Sequence, residues 1–91
     1  MNYVQYVTVR IIQEKEIDYD LAQFYALLLL TKGTDTTLED VHHAWALWQD
    51  YINPSHRSLI PFEDLSLEVQ ELDRPYMEVI HKVTQDMQIS R

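Results

Sequence analysis

The chain has 91 residues, 46% of them hydrophobic and 11% aromatic, with one glycine, three prolines and no cysteine. That length allows a single domain burying roughly 65% of its unfolded surface. The composition excludes disordered, collagen-like and disulfide-stapled chains and disfavours a turn-rich all-β sandwich. Seven Lys and Arg stand against fifteen Asp and Glu, a net charge of −8. The basic residues are scattered singly, which argues against a nucleic-acid binder or an anionic-membrane binder. An acidic surface suits solubility or a basic protein partner, a DNA mimic among them. The first residues lack the basic start and small-residue cleavage site of a secretory leader, and the longest apolar run, residues 26–30, is far too short to span a bilayer. A cytoplasmic location with no membrane partner is the expectation.

Residues 2–16 carry two patterns. Val7, Val9 and Ile11 alternate as in a strand, whereas Val4, Val7 and Ile11 form a helical stripe. A lone strand would have no partner, so a helix is expected. Residues 18–32 predict a helix with Asp18 and Asp20 at its start and Leu21, Phe24, Tyr25 and Leu28 as its stripe. Lys32 followed by Gly33 is its stop signal. Residues 38–53 predict a third helix, with Thr37 and Asp40, or Thr36 and Glu39, approximating a capping box. Its stripe of Val41, Trp45, Trp48 and Ile52 makes Val41 and Trp48 expected core residues, and Asn53-Pro54 ends it.

Residues 54–62 predict a loop anchored by Leu59, Ile60 and Phe62, and Ser66 can cap a short helix over 67–72. Asp73-Arg74-Pro75 breaks the chain, with Asp73 placed to cap a last helix that carries Tyr76, Ile80, Val83 and Met87 to about residue 88. The sum is an all-α fold, a small bundle of four to five helices in one domain, residues 1–37 forming an N-terminal helical hairpin.

Little in the chain suggests an enzyme. His42, His43, His56 and His81 include no pair at metal-binding helical spacing, and His42 and His43 point about 100° apart on a helix. One glycine allows neither a nucleophile elbow nor a phosphate-cradling loop. No metal and no cofactor are expected. The remaining constellation is His42 and Trp45, neighbours three apart on one helix, with His56 and Arg57 in the following loop and Arg74 beyond it. An exposed indole with cationic side chains beside it would stack a planar ring and hold an anion. Two tryptophans serving only as core would produce the same stripe.

The stretch Leu38-Glu39-Asp40-Val41-His42-His43-Ala44-Trp45-Ala46 resembles the opening of the ryanodine-receptor (RyR) repeat, an acidic residue followed by His-x-x-Trp and a small residue. His56-Arg57-Ser58-Leu59-Ile60-Pro61-Phe62 resembles its His-Pro-x-Leu-Val-Pro-Tyr/Phe. Asp64-Leu65-Ser66 and Glu71-Leu72-Asp73-Arg74 resemble the segments that follow. The resemblance covers residues 38–83. It departs where Trp48 to Ser55 replace a glycine-containing segment and where Arg57 replaces Pro. The chain also resembles short actinobacterial and phage proteins with the same His-x-x-Trp, His-Arg-Ser and Pro-Phe-x-x-Leu order. The RyR resemblance implies a helical repeat. It further implies a nucleotide-like ligand, since tandem repeats can hold an adenine nucleotide between two tryptophans; here that role would fall on Trp45 with His42. A single repeat lacking its tandem copy suggests a homodimer, built on the Tyr3, Tyr6 and Val9 side of the first helix. Such a dimer would bring two Trp45 helices together. The alternative is an acidic protein-interaction or structural accessory protein of a phage or its host, and a small helical DNA-binding domain is disfavoured by charge.

Overall fold

The structure, a computed structural model, describes residues 1–88. Among them the fold is all-α: α1 (Tyr3–Glu14), α2 (Tyr19–Thr31), α3 (Leu38–Ile52), α4 (Leu67–Glu71) and α5 (Arg74–Gln88), with short 3-10 turns at Gly33–Asp35 and Phe62–Asp64 and no strand. The ambiguity of the first segment resolves as a helix. Asn2 and Gln5 close a capping box at its start, each side chain meeting the other's backbone amide.

Local chemistry fixes most helix ends. The Asp18 carboxylate accepts the amides of Asp20 and Leu21 at 2.8 and 3.2 Å. Of the two capping boxes available before α3, the one formed is Thr37 with Asp40. Lys32 Nζ also reaches Asp40 at 2.9 Å, tying the end of α2 to the start of α3. Together the lysine and the Thr37 groups hold the Asp40 carboxyl below its usual range against the opposing effect of burial. Ser66 caps α4 through the Val69 amide. Gly33 has φ +56°, in the left-handed region, and a Cβ there would lie 2.9 Å from Thr84 Cγ2 on α5. Glycine is needed at this position both for its backbone angle and for the close approach of α5.

The core gathers Val7 and Ile11 of α1, Leu21, Ala22, Tyr25, Ala26 and Leu29 of α2, Val41 and Ala44 of α3, and Ile80 and Val83 of α5. The α1–α2 hairpin therefore shares one core with α3 and α5. His81 of α5 donates through Nε2 to the Thr36 carbonyl at 2.8 Å, closing the far side of the α2–α3 connection.

The stripe of α3 meets the core through Val41, with Trp45 and Trp48 packed against it, but is not fully covered. Val41, His42 and Ala44 are buried, whereas Trp48 is only half-buried and Ile52 is exposed. His42 can face inward because its Nε2 donates to the Ile60 carbonyl at 3.1 Å, so loop backbone satisfies a buried polar ring. The loop anchor also differs from the expectation. Ile60 is exposed and contributes its carbonyl, while Leu65 is the buried apolar side chain of that region.

Candidate functional site

The loop after α3, together with α4, does not close fully onto α2, α3 and α5. A cavity of about 520 Å³ remains between them. Its walls include Tyr25 of α2, His42, Trp45 and Trp48 of α3, His56 of the loop, and Asp73 and Tyr76 at the start of α5. Trp45 is half-buried and held by two imidazoles. His42 stacks against it at 5.7 Å between centroids and 28° between planes, and His56 meets it edge-on at 5.1 Å and 81°. Phe62 meets the His42 ring at 5.9 Å between centroids, tilted by 52°. Tyr25 and Tyr76 form a tilted pair at 5.7 Å, and Lys15 Nζ lies 5.2 Å from the Tyr76 centroid.

Hydrogen bonding determines the state of the two histidines. The Ser58 amide donates to His56 Nδ1 at 3.0 Å, which requires a lone pair on that nitrogen and so a neutral ring. A carbonyl can only accept, so His42 Nε2 carries a hydrogen. The other nitrogen, Nδ1, faces Asp73 Oδ2 at 4.0 Å.

Asp73 does not act as the expected side-chain cap of α5. The amides of Tyr76 and Met77 bond to its backbone carbonyl instead. Its carboxylate turns inward, with 14% side-chain exposure, and makes no hydrogen bond among the described residues. Burial pushes its carboxyl up to about 6, with His42 opposing the rise. Burial, then Asp73 and Tyr76, push the Tyr25 hydroxyl far above its ordinary value.

Of the residues singled out by sequence, His42, Trp45 and His56 meet at this cavity. Arg57 is exposed on the loop and does not line it. Arg74 faces outward and is engaged by Glu71, at 2.5 Å from Nε to Oε2 and 3.1 Å from Nη2 to Oε1. Among the described residues, no lysine or arginine lines the cavity. The second tryptophan at the site is this chain's own Trp48, placed by sequence in the core. Tyr25, Asp73 and Tyr76 come from other helices and were not legible as site residues; Tyr25 reads as core and Asp73 as a cap. No three His, Asp or Glu side chains among the described residues converge well enough to hold a metal ion. None of the described helices is long and apolar enough to cross a membrane.

The molecule is thus a small helical bundle with an aromatic-lined cavity at the junction of α2, α3 and α5. The chain belongs to the DUF7701 family, a domain of unknown function, which matches residues 2–85. No curated protein and no solved structure matches it.

Proposed function

We propose that this protein is a non-enzymatic small-ligand-binding module whose ligand carries a planar ring seated against Trp45. The observation that supports this most is the half-buried Trp45 at a cavity large enough for a small molecule and lined largely by aromatic rings. Base-on-aromatic stacking contributes about 1–3 kcal/mol and needs no sequence-specific contact. The RyR-repeat resemblance adds a nucleotide or nucleotide-like compound as the first class to test. Both tryptophans of the chain line the cavity, so intrinsic fluorescence reports on it directly. Titration with ATP, ADP-ribose and cyclic nucleotides should perturb that emission. Unchanged emission at millimolar concentrations of all of them rejects the nucleotide assignment.

The same reading includes a homodimer through the outer face of α1, where Tyr3 and Tyr6 are exposed while Val9 is half-buried. Light scattering at tens of micromolar should give twice the chain mass, and a monomer mass rejects it. A protein-interaction role is the second reading. It is favoured by a groove between α2 and α3 where Tyr51 (84% exposed), Ile52 (59%) and Leu27 (57%) lie beside Asp18 and Asp20. Recovery of no stable partner from the native host counts against it.

A further inference from the structure

The polar groups of the cavity are mismatched to an anion. Three of them face it without a hydrogen-bond partner among the described residues: the Tyr25 hydroxyl, His42 Nδ1 and the Asp73 carboxylate. Tyr25 is 1% exposed and the His42 side chain 4%, so both are well inside the protein. His42 Nδ1 faces Asp73 Oδ2 across 4.0 Å: with a proton on Nδ1 the two are a charge pair, and without it they are two acceptors. That separation is too long for a direct hydrogen bond, so the carboxylate has no donor in contact among the described residues. A ligand nitrogen bearing two hydrogens can sit about 2.9 Å from the carboxylate and, where Nδ1 carries no proton, from both. His56, fixed neutral by Ser58, adds no charge, and the remaining polar neighbour on α5 is the neutral Tyr76. The aromatic walls supply the electron-rich faces that attract cations.

We infer that the cavity takes an organic cation, an aromatic or planar group bearing an amidinium or primary ammonium nitrogen, with that nitrogen held between Asp73 and His42. This inference rests on the ligand-binding reading and deepens it: Asp73 is the counter-ion, His42 the second acceptor, Tyr25 a flanking hydroxyl and Trp45 the ring platform. Among the described residues a phosphate has no lysine or arginine partner in the same walls. The charge of the ligand sets the sign of the pH dependence. A cation needs Asp73 ionised and His42 neutral, so its affinity rises with pH and levels off once the carboxyl has titrated. An anion held by protonated histidines would show the reverse. One unit below a carboxyl titrating at about 6, roughly a tenth of Asp73 is ionised, which translates to about a ten-fold change in affinity.

The test uses benzamidine, its neutral isostere benzamide, and AMP, each titrated into the full chain while tryptophan emission is followed between about pH 5 and about pH 7.5. Benzamidine should bind, tighten about ten-fold with rising pH, and exceed benzamide throughout. Asp73→Asn, which keeps the shape, should weaken benzamidine at least about ten-fold at the upper pH while the variant still melts cooperatively. Tyr25→Phe is the second variant and should weaken it by a smaller factor without altering the pH profile. Benzamide binding as well as benzamidine, or benzamidine affinity falling as pH rises, overturns the inference. AMP binding with benzamidine silent overturns it and leaves the ligand-binding module standing. Silence with all three probes overturns both.

Discussion

Asp73 should make the protein less stable as pH rises through the mildly acidic range, and Asp73→Asn should abolish that loss. In the folded state its carboxyl titrates at about 6 against an ordinary value of 3.8. The folded chain therefore holds this proton more tightly than the unfolded chain does. The stabilisation is fully present below the ordinary value and is lost as pH climbs through about 6. A displacement of about two units corresponds to about 3 kcal/mol, a large share of the stability of a 91-residue domain. The cause is burial: the side chain keeps 14% exposure and gains no hydrogen bond in exchange, and His42 offsets only part of the effect. Urea unfolding of both proteins, from about pH 4 to about pH 8, isolates the residue because every other carboxyl is common to the pair. Asp40, held low by Lys32 and Thr37, acts in the opposite direction and cancels in the difference. The variant should be more stable by about 2–3 kcal/mol at the upper pH and equal to the parent at the lower. A difference that stays constant across the range, or widens on acidification, refutes the reasoning.

Gly33→Ala should destabilise by more than about 1 kcal/mol, because it places a Cβ at φ +56° and 2.9 Å from Thr84 Cγ2; thermal melting checks it, and an unchanged or raised midpoint rejects the strain. Thr37→Ala removes the hydroxyl that accepts the Asp40 amide and should cost about 1 kcal/mol by urea unfolding. Trp48→Ala should cost less than the roughly 3–5 kcal/mol typical of a fully buried aromatic, since the ring is half-buried between the cavity and the α2–α3 groove. A loss within or above that range would show that the ring packs as core.

The helices were legible because their ends are written in adjacent residues. Asp18, Thr37 with Asp40, Ser66 and Asn53-Pro54 each act within a few positions of themselves, and Gly33 follows the last turn it terminates. The site was legible only where it shares that locality. His42 and Trp45 are neighbours on one helix, so their pairing follows from spacing alone. His56 reaches them only because the loop carries it back across Trp45. How far α3 is covered depends on the path of that loop, which periodicity does not contain, and so Trp48 packs against the core but also lines the cavity. Asp73 shows the stronger conflict. Its place just before α5 has every local mark of a cap, yet its backbone carbonyl meets the helix and its side chain turns to His42. Arg74, adjacent in sequence, points to the surface and pairs with Glu71, which separates it from the cavity that its neighbour lines.

A helix can begin without its capping side chain, and here the exchange has a direction. An exposed Asp73 accepting a helix amide would be the more stable arrangement, since capping and solvation both favour the ionised form. The fold instead places the carboxylate beside the buried His42 imidazole and the Tyr25 hydroxyl, under two tryptophans. No hydrogen bond joins the carboxylate to either group among the described residues, so a positively charged donor in the cavity would supply the partner that the fold does not. The net charge of −8 acts in the same sense over longer distances, drawing cations toward the molecule and repelling phosphates. A phosphate-bearing ligand would have to overcome both the local carboxylate and the overall field, with Arg57 and Arg74 outside the cavity walls. The physical chemistry of the cavity and of the whole surface therefore converge on the same sign of ligand charge.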